Sequence, residues 1–208
     1  MFLRIFLACF FASLAHNPSW AQENVDWLID NRNFEAEFKK SATNPHRYEL
    51  TNGLAKRSFL MREEVGATVG LENLNKGESI VRAVKPEALV VINGISHQVG
   101  GLTGQPDHAF LKDEWLVNMS PAAGALRLVG WELSVPDERL KWKRVRNASS
   151  QVAWPPEGVK ISFEYRLPET ASPEKAPEFR VFVHYELYDG VPVFCKWLTV
   201  ENLGQDSF

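Results

Sequence analysis

Residues 179–188 have the sequence FRVFVHYELY, in which apolar side chains recur at every second position. This spacing places them on one face of an extended strand, because successive side chains of a β-strand point to opposite faces. They are Phe179, Val181, Val183, Tyr185 and Leu187. The stretch therefore predicts a strand with one face in a core. Asp189-Gly190 follows it and predicts a tight turn, since glycine adopts a positive φ at low cost.

The segment after this turn, Val191 to Glu201, predicts the partner strand of an antiparallel hairpin. Its apolar side chains fall on both faces, and Pro192 suits the start of the strand because proline has no N–H to donate. We therefore expect this strand to be central in its sheet and covered on both sides. The residues behind this expectation are Val193, Cys195 and Trp197 on one face and Phe194, Leu198 and Val200 on the other.

Short runs of β-branched and aromatic residues, separated by turn pairs, continue through the rest of the chain. The predicted strands are 54–62, 65–71, 79–84, 88–92, 125–135 and 159–167, and the first four would form a meander. The turns are Asn52-Gly53, Asn75-Lys76-Gly77 and Asn93-Gly94. This pattern predicts an all-β fold.

Two segments interrupt the strand pattern. Residues 100–121 are rich in glycine and proline and include a short helix predicted from Asp113 to Met119, with Asp113 as its cap. Loops of that length inside a compact β domain are usually functional. Residues 168–177 are rich in Pro, Glu, Ala and Ser and predict a solvated excursion between strands.

The N-terminus has the features of a secretion signal. Arg4 precedes the apolar run Ile5 to Ala15, and Ser19-Trp20-Ala21 supplies small residues where a signal peptidase cuts. We expect residues 1–21 to be removed and residues 22–208 to form an exported domain, secreted or periplasmic. The apolar run is shorter than the ~20 residues that span a bilayer, so we expect no membrane association after cleavage.

The charge of the mature chain argues against two classes of partner. Arg4 leaves with the signal, so 22 of the 23 Lys and Arg residues remain against 26 Asp and Glu, a formal charge of −4. This mildly acidic balance disfavours nucleic acid and anionic lipid as main partners. Cys195 is the remaining cysteine, so no intramolecular disulfide is expected in residues 22–208.

No stretch of the sequence contains a self-sufficient catalytic constellation. The mature histidines are scattered singly, which argues against a metal site, and no cofactor-binding motif is present. They are His46, His97, His108 and His184. Glycoside hydrolysis requires two carboxyl groups on either side of a bond. Several acids lie in predicted loops, but the sequence does not give the distances between them, so we assign this role to none of them. The acids considered are Asp107, Asp113, Glu114, Asp137 and Glu138.

Tryptophan side chains are the best candidates for ligand contact, because flat aromatic faces suit the apolar side of a sugar ring. Trp131 and Trp197 lie in predicted strands, which favours a place in the core. Trp115, in the long loop, and Trp142, within Lys141-Trp142-Lys143-Arg144, are harder to explain as core residues. We therefore treat Trp115 and Trp142 as candidate carbohydrate contacts.

Several motifs between Tyr48 and Asn202 resemble the N-terminal domain of bacterial α-galactosidase-like glycoside hydrolases. The first are Asn52-Gly53-Leu54, Arg57, Phe59, Ala67-Thr68-Val69, Leu71 and Asn73-Leu74. The middle group comprises RAVKPEA at 82–88, VGGL at 99–102 and GQP at 104–106. The last are YELYDGVP at 185–192 and KWL at 196–198.

The resemblance implies a large two-sheet antiparallel β-sandwich of the galactose mutarotase type, with few short helices, ahead of a (β/α)₈ barrel. The catalytic aspartates of that family lie in the barrel, so the resemblance implies no catalytic residue in this sandwich, no cofactor, and a longer parent enzyme acting on galactosides. In related enzymes a sandwich loop reaches over the sugar pocket of the barrel. Residues 100–115, with Asp107, His108 and Trp115, are our candidate for that loop.

Three functions follow as hypotheses. The first is a non-catalytic module that supports a downstream catalytic barrel and lines the edge of its sugar pocket. The second is a free-standing carbohydrate-binding module. The third is a mutarotase-like enzyme, which would need a general acid and base in one concavity, with His108 or His184 within reach of the sugar.

Overall fold

The structure, a computed structural model, describes residues 26–141, 154–168 and 178–205. The predicted signal peptide (1–21), Trp142 and residues 169–177 of the predicted excursion lie outside the described residues. Within the described ranges, no helix has the length and apolar character needed to cross a membrane.

The described residues form antiparallel sheets joined by turns. In chain order the strands are β1 (Glu37–Lys40), β2 (Arg47–Thr51), β3 (Ala55–Arg62), β4 (Val65–Asn73), β5 (Glu78–Ser79), β6 (Ala88–Ile92), β7 (Ile95–Val99), β8 (Arg127–Ser134), β9 (Gly158–Arg166), β10 (Phe179–Tyr188) and β11 (Phe194–Asn202). The first sheet has the order β1-β2-β3-β4-β5, the second has the order β11-β10-β9-β8, and β6 and β7 form a separate hairpin. The prediction of an all-β, two-sheet antiparallel sandwich is confirmed.

Most predicted strands are present, but the predicted four-strand meander is not, because its third strand ends early and its fourth, β6, pairs instead with β7, which was not predicted. β10 has the predicted bounds, and Asn93 and Gly94 turn the chain between β6 and β7 with φ of 50° and 78°. The predicted strand 79–84 is wrong beyond Ser79, where β5 ends. Val84 packs under the long loop instead, and its N–H donates to Gln105 Oε1 at 3.2 Å. Because this N–H bonds to a side chain, it contributes nothing to a strand ladder.

The core lies between the two sheets. The alternating face of β10 is buried there, and Val181, Val183 and Leu187 have no exposed surface. The first sheet contributes Phe59, whose ring centroid lies 5.0 Å from that of Phe163 on β9. Removing such side chains from water is the main favourable contribution to folding, at ~25 cal/mol per Å² of apolar surface. The period-2 pattern of β10 is therefore what joins the second sheet to the first.

A second buried cluster covers the opposite face of the first sheet. Leu60 and Val69 belong to it, together with Leu116 and Met119 from the long segment between β7 and β8. β3 is consequently buried on both faces, since Phe59 points to the core between the sheets and Leu60 points to this second cluster. Strand β3 is thus covered on both faces, and so is β4 over residues 65–70.

The expectation that the 191–201 strand is central and covered twice is wrong. β11 forms the edge of the second sheet, and β10 is its partner among the described residues. Leu198 and Val200 alternate onto the same side as the core face of β10, yet they are 37% and 40% exposed. The described parts of the first sheet and of the β6–β7 hairpin leave this edge of the second sheet partly uncovered.

Two further expectations are corrected. Trp131 is 45% exposed, and Trp197 is half-buried on the outer face of the second sheet, where its ring stacks on that of His184. The predicted helix is a 3-10 helix, Asp113–Asn118, preceded by Lys112 with no side-chain cap. The Asp113 carboxylate instead accepts two hydrogen bonds from Arg47, at 2.6 and 2.7 Å, and is therefore engaged away from the helix N-terminus.

A buried carboxylate links the two sheets to the β6–β7 hairpin. Glu87, directly before β6, has a side chain that is 3% exposed. Its Oε1 accepts the N–H of Thr68 at 2.6 Å, and its Oε2 accepts hydrogen bonds from Tyr185 and, at 3.0 Å, from Lys196. Arg57 lies 3.8 Å from the same oxygen and donates to Thr68 Oγ1 at 2.9 Å. Strands β3, β4, β10 and β11 are thereby joined through one group.

The surroundings of Glu87 change its acidity. Burial alone would raise the pKa of this carboxyl, but the positive charges of Lys196 and Arg57 and a hydrogen bond from Tyr185 outweigh it and hold the pKa below its usual value of 4.5. The carboxylate therefore stabilises the fold above about pH 4.5, the value expected when unfolded. That stabilisation is lost as the pH falls towards the lower folded-state pKa.

We expect Glu87→Gln to destabilise the protein by about 3 kcal/mol at pH 7, because it leaves the mostly buried Arg57 and the partly exposed Lys196 without their buried anion. Between pH 6 and pH 3 the variant should lose less further stability than the wild type. Urea denaturation followed by circular dichroism measures both effects. Glu114→Gln, at an exposed ion pair with Lys112, is the matched control and should change little. An unchanged acid dependence in Glu87→Gln would show that this carboxylate does not link folding to protonation.

Candidate functional site

The long segment 100–121 turns sharply at its start. Gly100 and Gly101 both have positive φ, 58° and 82°, a region that side-chain-bearing residues rarely adopt. A Cβ on Gly101 would lie 2.7 Å from backbone atoms of Pro86, which leaves no room for a side chain. These two glycines therefore support the interpretation from sequence that the Gly-rich motif provides backbone freedom.

Contacts at both ends hold this segment against the first sheet. Thr103 and Ser120 exchange backbone hydrogen bonds of 2.7 and 3.2 Å. Arg62 of β3 donates to the carbonyl oxygens of Leu116 and Met119, at 3.1 and 2.8 Å. Both of these residues are also buried in the second apolar cluster. The segment is therefore a fixed surface feature with defined geometry.

Gln105 holds the tip of the segment in place. Its Nε2 donates to the carbonyl oxygen of Arg82 at 3.0 Å, and its Oε1 accepts the N–H of Val84 at 3.2 Å. The same Nε2 lies 3.4 Å from the carbonyl oxygen of Phe110. One amide side chain thus joins the 104–110 stretch to the irregular segment that precedes β6.

Three rings gather at the tip, and we call them the loop ring cluster: His108, Phe110 and Trp115. Their centroids lie 5.1 to 5.5 Å apart, and their planes differ by 17° to 27°. The Lys112 ammonium lies 5.9 Å from the centroid of Phe110 and 5.8 Å from that of Trp115. Nearly parallel rings on a fixed loop form a flat apolar surface of the kind that stacks against a sugar ring.

A pocket of about 420 Å³ adjoins this cluster. Its described lining consists of Ala83, Val84, Lys85, Pro86, Gln98, Leu102, Thr103, Gly104, Gln105, Pro106, Asp107 and His108. The volume lies in the usual range of small-molecule sites, ~300–1,000 Å³. The pocket thus combines one carboxylate and several neutral polar groups with an aromatic surface at its edge.

The structure brings together three of the four site residues predicted from sequence. Asp107 and His108 line the pocket, and Trp115 stacks on His108 at 5.3 Å. Trp142 lies outside the described residues. Sequence reasoning missed Phe110, which is 46% exposed. The signal that could have identified it was an aromatic residue two positions after His108, in a loop that was already a candidate site.

The other histidine considered for catalysis, His184, has different surroundings. It lies on the outer face of the second sheet, with Nδ1 2.7 Å from Ser162 Oγ and Nε2 3.0 Å from Thr199 Oγ1. Burial, followed by the nearby charge of Lys160, lowers the pKa of His184. Both ring nitrogens are thus engaged by hydroxyl groups, whereas His108 shares a pocket with Asp107. Among the described residues, no group of three His, Cys, Asp or Glu side chains could hold a metal ion.

Replacing Gln105 should loosen the tip of the long segment without unfolding the sheets. Gln105→Ala removes three hydrogen bonds to backbone groups, so we expect a loss of about 1–2 kcal/mol of local stability. Amide hydrogen exchange should become faster in residues 104–112 and stay unchanged in β10. Gln205→Ala, at an exposed position, is the control. Equal exchange in the wild type and Gln105→Ala would contradict this role.

The comparisons with known proteins identify no relative of the chain. No family model, no curated protein and no solved structure matches it. The resemblance of its motifs to the α-galactosidase-like N-terminal domain therefore stays a prediction from the sequence.

Proposed function

We propose that this chain is a non-catalytic β-sandwich module of an exported, α-galactosidase-like glycoside hydrolase, and that it contacts sugar through the loop ring cluster. The observation that carries the proposal is the stacking of His108, Phe110 and Trp115 beside an open pocket, on a segment fixed to the first sheet. The predicted signal peptide and the motifs between Tyr48 and Asn202 supply the remaining support.

The pocket chemistry favours contact with a neutral, hydroxyl-rich ligand. Asp107 can accept hydrogen bonds from hydroxyl groups, and Gln98 and Thr103 add neutral polar groups. The rings provide the apolar surface that a pyranose also requires. A galactoside fits this combination better than a phosphorylated ligand does, because the described lining residues include a single lysine, Lys85, and no arginine.

The carboxyl groups favour a contacting role over a cleaving one. Glycoside hydrolysis uses two carboxyl groups ~5–9.5 Å apart. The described residues that line this pocket include one acidic residue, Asp107, rather than a pair. In this proposal the catalytic pair belongs to a (β/α)₈ barrel, as the family resemblance implies.

The edge of the second sheet supports the scaffold part of the proposal. Leu198, Val200 and Leu203 are 37%, 40% and 43% exposed along or just after β11. Apolar side chains on an edge strand suit burial against a further folded unit. We propose the downstream barrel as that unit.

A free-standing carbohydrate-binding module is the second candidate. One observation favours it: the loop ring cluster and its pocket are formed within this chain alone. A mutarotase-like activity, with His108 and Asp107 as acid and base, stays a prediction for the same pocket.

Sugar binding by the wild type and Trp115→Ala separates the two candidates. For the hydrolase module, we expect the isolated chain to cleave no aryl α-galactoside and to show no binding that depends on Trp115. After fusion to an α-galactosidase-type barrel, Trp115→Ala should weaken galactoside binding about tenfold, since a buried tryptophan contact is often a main source of affinity. Isothermal titration calorimetry measures the affinities.

The matched control is Trp154→Ala, an exposed tryptophan that does not line this pocket. Trp115-dependent binding in the isolated chain would favour the free-standing module instead. If the fused Trp115→Ala protein binds the galactoside as tightly as the fused wild type, the loop ring cluster does not contact the sugar. Rapid interconversion of galactose anomers by the isolated chain would favour the mutarotase hypothesis.

A further inference from the structure

A second concavity lies on a different part of the fold, where the turn between β3 and β4 meets β8. We call it the turn cleft, and it has a volume of about 290 Å³. Its described lining consists of Tyr48, Met61, Arg62, Glu63, Glu64, Leu128, Val129, Gly130 and Trp131. It shares no described lining residue with the pocket beside the loop ring cluster.

Trp131 provides the aromatic wall of this cleft. It packs at 5.6 Å against Phe38 and at 6.1 Å against Tyr48, with interplanar angles of 55° in both pairs. These two rings hold the indole in place, yet it remains 45% exposed. A large aromatic side chain that is fixed by packing and open to solvent is typical of a contact surface.

A β-bulge shapes the wall of the cleft that β8 provides. The pairing of β8 with β9 shifts register between Leu128 and Gly130, as at a β-bulge. After the shift, Trp131 lies opposite the buried Phe163 of β9, whereas Gly130 lies opposite Glu164 on the other face. Trp131 therefore points to the side of the first sheet, towards Phe38 and Tyr48. Bulges often redirect side chains next to binding sites.

The polar wall of the cleft consists of two carboxylates. Glu63 and Glu64 form the turn between β3 and β4, and both are exposed. No cation among the described residues pairs with either carboxylate, and the Arg62 guanidinium donates instead to backbone oxygens of the long segment. Ionised carboxylates accept hydrogen bonds and donate none, so a ligand here must be a donor.

We propose that the turn cleft binds one pyranose ring. The apolar face of the sugar lies against Trp131, and its hydroxyl groups donate to Glu63 and Glu64. The volume is at the lower end of small-molecule sites, ~300 Å³, which suits a single ring. The site goes beyond the proposed function because it uses other residues and is complete within this chain.

A cationic ligand is less well matched to the same walls. Recognition of an ammonium group by aromatic residues uses the faces of several rings. Here one face of Tyr48 stacks on Phe38 at 5.6 Å, and the Lys40 ammonium lies 6.0 Å from the Tyr48 centroid. Trp131, at 45% exposure, is therefore the more open of the two aromatic side chains that line the cleft, and one aromatic side chain suits a sugar ring better than an ammonium group.

The test uses ligand-observed NMR titrations of the whole chain with methyl α-galactoside, methyl β-glucoside and methyl α-mannoside. We expect at least one of them to bind, and Trp131→Ala to weaken that binding about tenfold. The double variant Glu63→Gln/Glu64→Gln should weaken it about fivefold, because a neutral amide accepts weaker hydrogen bonds than a carboxylate. Both positions are exposed, so the thermal unfolding midpoint should stay unchanged. Trp115→Ala is the control and should leave this binding unchanged.

Several results would overturn the proposal. They are no binding of any of the three glycosides, or binding that survives both Trp131→Ala and Glu63→Gln/Glu64→Gln. Binding lost in Trp115→Ala but retained in the two cleft variants would support the loop ring cluster and reject the turn cleft. Binding of tetramethylammonium that is stronger than that of the glycosides, and lost in the double variant Glu63→Gln/Glu64→Gln, would identify a cation site instead.

Discussion

The buried carboxylate of Glu87 determines how the two sheets and the β6–β7 hairpin fit together. It receives hydrogen bonds from Thr68 of the first sheet and from Tyr185 of the second, and it lies beside Arg57 and Lys196. A buried charge is stable only while its partners stay in place, because little water can reach the interior to replace their hydrogen bonds. Relative movement of the sheets would therefore break several interactions at once.

The position of Glu87 also sets the start of the long segment. Its N–H donates to the carbonyl oxygen of Val99 at 2.7 Å, and the preceding Pro86 occupies the space that a side chain at Gly101 would need. The chain must turn there, and it then crosses the first sheet, where Leu116 and Met119 are buried. The loop ring cluster owes its fixed position to this route. The turn cleft depends on the same sheet from another side, since its acids lie in the turn between β3 and β4.

Local features of the sequence were sufficient to predict most of the strands and turns. The period-2 pattern of β10 and the Asn-Gly and Asp-Gly turns predicted strands and reversals correctly, because backbone sterics and side-chain alternation act over a few residues. Three of the four predicted site residues also lie close together, since Asp107, His108 and Trp115 belong to one loop, whose length was the reason to propose a site there. The all-β class followed from the same short-range signals.

Sequence alone therefore determined where most of the strands and turns lie, but not β1, β2 and β7, and it indicated one loop as a candidate site. Only the tertiary structure decided which strands are covered, because burial depends on partners distant along the chain. β11 is apolar on both faces yet lies at a sheet edge, whereas β3 in the first sheet is buried on both sides. For the same reason Trp131 is half exposed rather than part of the core. Its place beside the β3–β4 turn arises from packing between sheets, which no local pattern encodes.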